Sequence, residues 1–433
     1  MEEAARRPDV AVIGGGIAGC ATAYYLSARG LKVTLVDKGS LGYEQSTRNW
    51  GWVHQQVRYP HLIPLAIRSV SIWKGLEEEL GTALEWRQGG NLSLAFDDAD
   101  VAEFEDIAAD ARDAGLDALM LTQAETAAAL PGAASGFIGS LHVPSDGQAS
   151  PQLVTAAFGR AAREHGATLI ENCAASAIET AGGRVVSVET EQGEIRADTV
   201  VVAGGAWTAR LLRKLGLRLP QRAVRATVVR TKPLPFQTAM TVWGDRFTFR
   251  QDIEGRFVLA GGASSVYDID LDALRDIRQF APMAWRNRHW VKVRAGSRLF
   301  REVLSLVPGT GERREFWQRR RTVDPPPLKE VARHTVGQLR ATFPSLPRIG
   351  VESTWAGYID STPDQAPVIG PAPGIDGLHI LTGLSGHGFA LGPAAAEMQA
   401  GMVMDKRASV DTRAFRFARF AEKDLAAVRV ARR

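Results

Sequence analysis

Three glycines at fixed spacing, Gly14-x-Gly16-x-x-Gly19, stand between an apolar run over residues 9–13 and a stretch with helical periodicity. This spacing suits a phosphate group. Gly14 permits a tight turn, Gly16 lets a pyrophosphate approach the backbone, and Gly19 allows a helix to lie close on a strand. The helix start, with Ile17 and Ala18, adds unpaired N–H groups and the positive end of its dipole. Asp37 closes the next apolar run, 32–36, where a carboxylate accepts hydrogen bonds from ribose hydroxyls and disfavours a 2′-phosphate. Together these residues predict a dinucleotide site. They leave open whether the dinucleotide carries a flavin or a nicotinamide.

Such groups need a frame. Residues 9–13 read as a buried strand, 17–29 as a helix stopped at Gly30, and 32–36 as a second strand, a βαβ unit with a right-handed crossover. A polar, aromatic loop follows over 37–58, then helical patterns with short strands to about Val143. A helix starts at Ser150-Pro151 and runs to about His165, with a strand over 167–172 and a hairpin at Gly182-Gly183. Residues 199–203 form another buried strand, ending at Gly204-Gly205. Alternation over 222–263 predicts an antiparallel sheet, and 268–343 reads as mostly helical. A last strand over 379–381 leads into Gly383–Gly388 and a helix to about Met404.

The fold expected is α/β (α+β overall): a discontinuous Rossmann-like unit with an inserted substrate domain built on an antiparallel sheet. Residues 1–60, 145–220 and 350–433 are assigned to the first unit, and 61–144 and 221–349 to the second. A length of 433 residues agrees with two or three domains, and the 43 glycines show no collagen-like period. No run of 18 uncharged apolar residues predicts a membrane span. The opening MEEAARRPDV lacks the apolar core of a signal peptide, and two cysteines suit a reducing compartment, so the cytoplasm is expected. The net charge is +4, and 43 of the 52 basic residues are Arg. Neither predicts nucleic-acid binding, and the basic stretches read as solvated helix faces.

Three glycine-ended strands, from both ends of the chain, favour an extended flavin dinucleotide over a nicotinamide one. The segments VAVIGGGIAGCATAYYLSARGLKVTLVDK, DGQASP, VVVAGGAW, WAGYIDSTPDQAPVIGP and LTGLSGHGFALGP, in that order, resemble the glycine/D-amino-acid oxidase and sarcosine oxidase family of FAD-dependent amine oxidoreductases. The resemblance spans residues 9 to about 404. It implies hydride transfer from the carbon beside an amine nitrogen to flavin N5, then hydrolysis of the imine. The flavin carries the redox chemistry while the protein binds and orients.

Carried onto this chain, the resemblance implies FAD contacts from Gly14, Gly16, Ile17, Ala18, Gly19, Asp37 and Lys38. The loop residues Ser46, Thr47, Arg48, Asn49, Trp50 and Gly51 would follow the cofactor, with Ala174, Ala203, Gly204 and Trp207 beside it. Gly383, Gly386, His387, Gly388 and Phe389 would meet the flavin ring. His54, Arg48, Tyr358 and His387 are the catalytic candidates, and Trp52, Arg250 and Tyr358 the substrate-binding ones. No metal is expected. The partners implied are a small amine or amino acid and oxygen or another electron acceptor.

The chain also departs from the family. Ile359 stands where several amino-acid oxidases carry an Arg for the substrate carboxylate, and Gly386 where glycine oxidases place another. Arg48, Arg250 and Arg246 are the available substitutes. Gly357 occupies the place of the flavin-linking Cys of sarcosine-type enzymes, so FAD is expected to be non-covalent. No Lys lies between Lys232 and Lys292, which leans toward a dehydrogenase. Segment 268–321 is aromatic and basic; a helical cap is expected there, with contact to a membrane surface or partner subunit as the alternative. A dye- or quinone-linked dehydrogenase subunit and a non-catalytic flavin-binding protein are the other readings of function.

Overall fold

Four buried residues in a row, Val10–Ile13, can satisfy their backbone only with strands on both sides, and they have them. In a computed structural model of the chain, they pair in parallel with Val33–Val36 and Val200–Val202. The structure describes residues 3–425, except 56–58, 134–135, 262–264, 270–275, 287–290, 295–320, 347, 407 and 409. The six-stranded sheet runs in the order Val368–Pro371, Leu378–Thr382, Val200–Val202, Val10–Ile13, Val33–Val36, Thr168–Ile170. Only the first pair is antiparallel. Three distant stretches of chain therefore build one sheet.

The helix Ile17–Ser27 is buried along its whole length, which explains its apolar, small-residue sequence IAGCATAYYLS. Helices Pro151–Glu164 and Gly388–Val403 lie against it, and Ile63–Glu79 covers the latter. Trp73, fully buried, donates its indole N–H to the Ala390 carbonyl at 3.0 Å, so the apolar contact is also pinned by a satisfied polar group. The expected hairpin is present: Ala175–Ala181 and Arg184–Thr190 flank Gly182 and Gly183, both at positive φ.

The larger sheet places Arg222–Pro233 among Ser265–Asp268, Arg256–Ala260 and Val351–Ser361, and extends through Asn91–Ala95 to Gly139–Val143 and Leu119–Thr122. Its ladders are antiparallel except at two joints, Thr241–Trp243 with Asn91–Ala95 and Ser265–Asp268 with Val291–Arg294. Phe247, Phe249, Phe257 and Phe343 fill its core.

One expectation is corrected. Val351–Ser361, placed above with the dinucleotide unit, pairs along its length with Arg222–Pro233 and so joins the larger sheet. Within the stretch read as mostly helical, Val291–Arg294 is a strand, its β-branched residues alternating with basic ones. The helices Ile277–Arg286 and Lys329–Thr342 do lie in that stretch, while most of the aromatic, basic segment 268–321 falls outside the described residues. Among the described residues, no helix is long and apolar enough to cross a membrane.

Candidate active site

Residues of both sheets line a cavity of about 410 Å³. It opens where the strands of the smaller sheet end. Gly14 has φ +112, and a Cβ there would fall 2.4 Å from the Ala203 carbonyl oxygen. At Gly19 a Cβ would sit 1.8 Å from the carbonyl of Gly14, so only glycine lets the helix approach the turn. Gly16, extended and without a side-chain cap, leads into Ile17, whose N–H donates to Ser46 Oγ at 2.8 Å. This glycine cradle at a helix start has the donors that a pyrophosphate requires, so the residues fit a dinucleotide.

Asp37 stands beside it. Its Oδ2 accepts from Gly15 N–H at 2.6 Å and its Oδ1 from Gly39 N–H at 2.7 Å. Burial pushes its pKa up, against the downward pull of those two N–H groups and Lys38. The carboxylate is thus fixed at the cavity wall with lone pairs left for hydroxyl donors.

A strap unforeseen in the sequence crosses this end. Lys38 Nζ donates to the Arg321 carbonyl at 3.0 Å, and Arg321 Nη2 reaches Glu191 Oε1 at 3.0 Å. Val323 N–H donates to Glu44 at 2.9 Å, while Glu44 also accepts from the Trp207 indole at 2.7 Å. Asp324 then pairs with Arg48 at 2.8 Å. Arg48 lines the cavity, yet its guanidinium is engaged by Asp324 and the Tyr43 carbonyl.

Two histidines meet at the other end. Trp52 stacks on His54 with ring centroids 3.8 Å apart, and His54 Nε2 lies 3.2 Å from His387 Nδ1. Which nitrogen donates depends on the tautomers. His387 precedes the helix Gly388–Val403 as its N-cap residue. Burial pushes its pKa down to about 4, with His61 adding to the effect, so the ring is neutral at pH 7. Tyr358 and Ile359, from the Val351–Ser361 strand, also line the cavity, and a Cβ on Gly386 would lie 3.5 Å from Ile359 Cγ2.

Asp360 ties these parts together. It is buried, which raises its pKa, and its Oδ2 accepts from Gly383 N–H at 2.8 Å. Gln45 donates to Oδ1 at 3.1 Å, and Gln221 and Thr382 reach Oδ2 at 3.2 and 3.3 Å. Asp360, Gln45 and Gln221 are not among the residues expected at the site from the sequence. An acid in the middle of a strand pattern, YIDS, was the available signal.

All but five of the residues expected at the site line the cavity; Gly19, Thr47, Gly51, Gly383 and Arg250 do not. The glycines and Thr47 stand behind the wall, where Thr47 bonds the Tyr43 carbonyl at 3.2 Å. Arg250 is a correction. Its Nε donates to the Trp50 carbonyl, and a Cβ on Gly51 would lie 2.5 Å away from it. It braces the loop from behind rather than facing a substrate. Burial pushes its pKa down to about 10. Arg246 lies over the Phe96 ring at 4.2 Å, also outside the cavity lining.

A second cavity, of about 300 Å³, adjoins the first and shares Trp52, His54, Trp243, Ser265, Ile359 and His387 with it.

Comparison with known proteins agrees with this arrangement. A profile of the FAD-dependent oxidoreductase family matches residues 9–402. The chain is 27% identical over 412 residues to glycine oxidase of Pseudomonas aeruginosa, covering 93% of this chain and 96% of that protein. It is also 27% identical over 425 residues to mitochondrial sarcosine dehydrogenase of Mus musculus; that covers 95% of this chain, which spans 41% of the relative's length. The structure of L-amino acid deaminase from Proteus myxofaciens in complex with anthranilate superposes with a TM-score of 0.90 at 25% identity, over 96% of this chain and 94% of that one. A profile match over nearly the whole length, on a fold that places its glycine cradle and Asp37 at one cavity, shows that the chain belongs to the FAD-dependent oxidoreductase family.

Proposed function

We propose that the protein oxidises the C–N bond of an amino acid or secondary amine to an imine, which water then hydrolyses. FAD, when bound, supplies the hydride acceptor. Gly14, Gly16 and the start of the Ile17–Ser27 helix would hold its pyrophosphate, and Asp37 its ribose. The observation that carries the reading is the pairing of buried His54 with half-buried His387 where the cavity reaches Tyr358 and the Gly388–Val403 helix start.

Burial that disfavours an imidazolium equally disfavours a bound ammonium. The site therefore selects the neutral amine, whose nitrogen lone pair is needed as the neighbouring carbon loses hydride. Neutral His387 accepts a hydrogen bond from that amine and orients it, while the proton leaves toward solvent. The helix start beside it favours negative charge developing nearby.

The same reading takes FAD as non-covalent, since a side chain at Gly357 would meet Arg48 Cβ at 2.6 Å. It takes the six-stranded sheet as the core of the FAD-binding unit and the larger sheet as the substrate unit. A second reading, a dehydrogenase subunit that passes electrons to a partner, is favoured by the lack of lysine between Lys232 and Lys292.

The test is an anaerobic absorbance titration of the purified flavoprotein with amino acids, N-methyl amino acids and cyclic amines. Flavin bleaching with members of one class is expected. Bleaching with none would reduce the chain to a flavin-binding protein. Admitting air separates oxidase from dehydrogenase by the rate of reoxidation.

A further inference from the structure

The second cavity has a chemistry of its own. Its walls carry Tyr59, Phe104, Ile107 and Leu141, with Trp52, Trp243 and Ile359 at the boundary to the first cavity. Among the described residues lining it there is no Lys, Arg, Asp or Glu. Its polar members are neutral side chains such as Gln365, whose amide is engaged by the Thr362 carbonyl at 3.1 Å.

Among the described residues, four arginines of the surrounding walls are committed elsewhere. Arg222, on the same face of its strand as Val224, which lines the pocket, is 4% exposed, 3.2 Å from Asp276 and covered by the Phe280 ring at 4.6 Å. Arg225, on the opposite face, pairs with Asp268 at 3.4 Å. Arg48 is held by Asp324 at 2.8 Å, and Arg250 by the Trp50 carbonyl. A carboxylate moved into such a pocket would lose its hydration and gain no cation from these described residues, a cost of several kcal/mol. A volume of about 300 Å³ is also far more than a methyl group fills. An aromatic or branched apolar group would remove this wall from water at roughly 25 cal/mol per Å².

We propose that this pocket selects an amine bearing a large, uncharged apolar group and no free carboxylate on the reacting carbon, seated with its nitrogen toward His387 and its apolar part against Trp243 and Phe104. The inference rests on the C–N oxidation proposed above and narrows its substrate class. It assigns Trp52, Phe104 and Trp243 as specificity-determining residues.

The test uses the FAD-loaded wild-type protein and matched pairs: 2-phenylethylamine against D- and L-phenylalanine, and N-methyl-2-phenylethylamine against N-methylphenylalanine. Binding is read from perturbation of the flavin spectrum under anaerobic conditions, and turnover from bleaching in the same cuvettes. Each amine is expected to bind at least tenfold more tightly than its carboxylated partner. The preference should fall severalfold in Trp243→Ala if that protein keeps its flavin spectrum. Equal or tighter binding of the amino acids overturns the inference, as does failure of both members of each pair to perturb the spectrum. Amine preference without bleaching would instead refute C–N oxidation and leave the pocket assignment standing.

Discussion

Asp360 offers the sharpest test of how the site is held. Its two oxygens collect donors from three separate stretches of chain: Gln45, Gln221 and the Thr382–Gly383 turn. Gln221 and Thr382 each have the Gly205 carbonyl as a second acceptor, at 3.1 Å in both cases. Gly383 N–H and Gln45 Nε2 depend on Asp360. Asp360→Ala therefore strands the buried Gly383 N–H and the half-buried Gln45 amide, at about 1–3 kcal/mol each, less the relief of removing a desolvated carboxylate. A net loss of about 2–4 kcal/mol follows. Asp360→Asn keeps an oxygen for Gly383 and turns its amide toward Gln45. Gln45 cannot reverse its own amide freely, because its Oε1 accepts from Ala206 N–H at 2.9 Å. One donor–donor conflict remains, and the loss should be about 2 kcal/mol smaller than in the alanine variant. Urea unfolding followed by tryptophan fluorescence measures the ranking, and flavin-fluorescence titration measures FAD affinity. The latter should weaken at least tenfold in Asp360→Ala, because the 45–48 loop and the Gly383 turn both shape the cavity. An alanine variant as stable as wild type, or an asparagine variant less stable than the alanine one, would refute the reasoning.

Three further outcomes are expected. His387 and His61 both have pKa values lowered by burial to about 4 from 6.5. The unfolded chain then binds more protons between these values, so stability is full above about pH 6.5 and falls as pH drops toward 4, by about 3 kcal/mol for His387 alone. His387→Asn should flatten part of that slope in urea midpoints measured from pH 4 to 7; an unchanged slope counts against a buried neutral ring. Arg321→Ala should raise the FAD dissociation constant about two- to five-fold, the worth of a half-exposed ion pair, with the difference shrinking in high salt. Acid precipitation should release all FAD into the supernatant, whereas a yellow pellet would show a covalent bond.

What could be read from the residues alone was local or patterned. The 9–37 unit is a contiguous run whose glycine spacing, apolar strands and terminal acid carry the same message, and the structure places them at one cavity. Gly204 and Gly386, carried over from the resemblance, also line that cavity. Arg250 shows the limit. A guanidinium advertises affinity for carboxylate or phosphate, but its actual acceptor is the Trp50 carbonyl, far away in sequence. The Asp360 cluster and the 321–324 strap escaped for the same reason. Their partners are separated by hundreds of residues, and nothing in either neighbourhood alone marks the pairing.

The six-stranded sheet also dictates an order of events. Val10–Ile13 waits for Val200–Val202, and that strand in turn for Leu378–Thr382. Contacts of such sequence separation carry a large loop-closure cost and slow folding. During synthesis the early βαβ unit must persist with an unpaired apolar edge until Val200–Val202 has emerged, and the enlarged sheet with another until Leu378–Thr382 has. A ribosome that stalls before Leu378 would leave a product prone to edge-to-edge association. FAD can find its full cradle only after the last strand docks, which makes cofactor capture a late checkpoint of biogenesis rather than a nucleus for it.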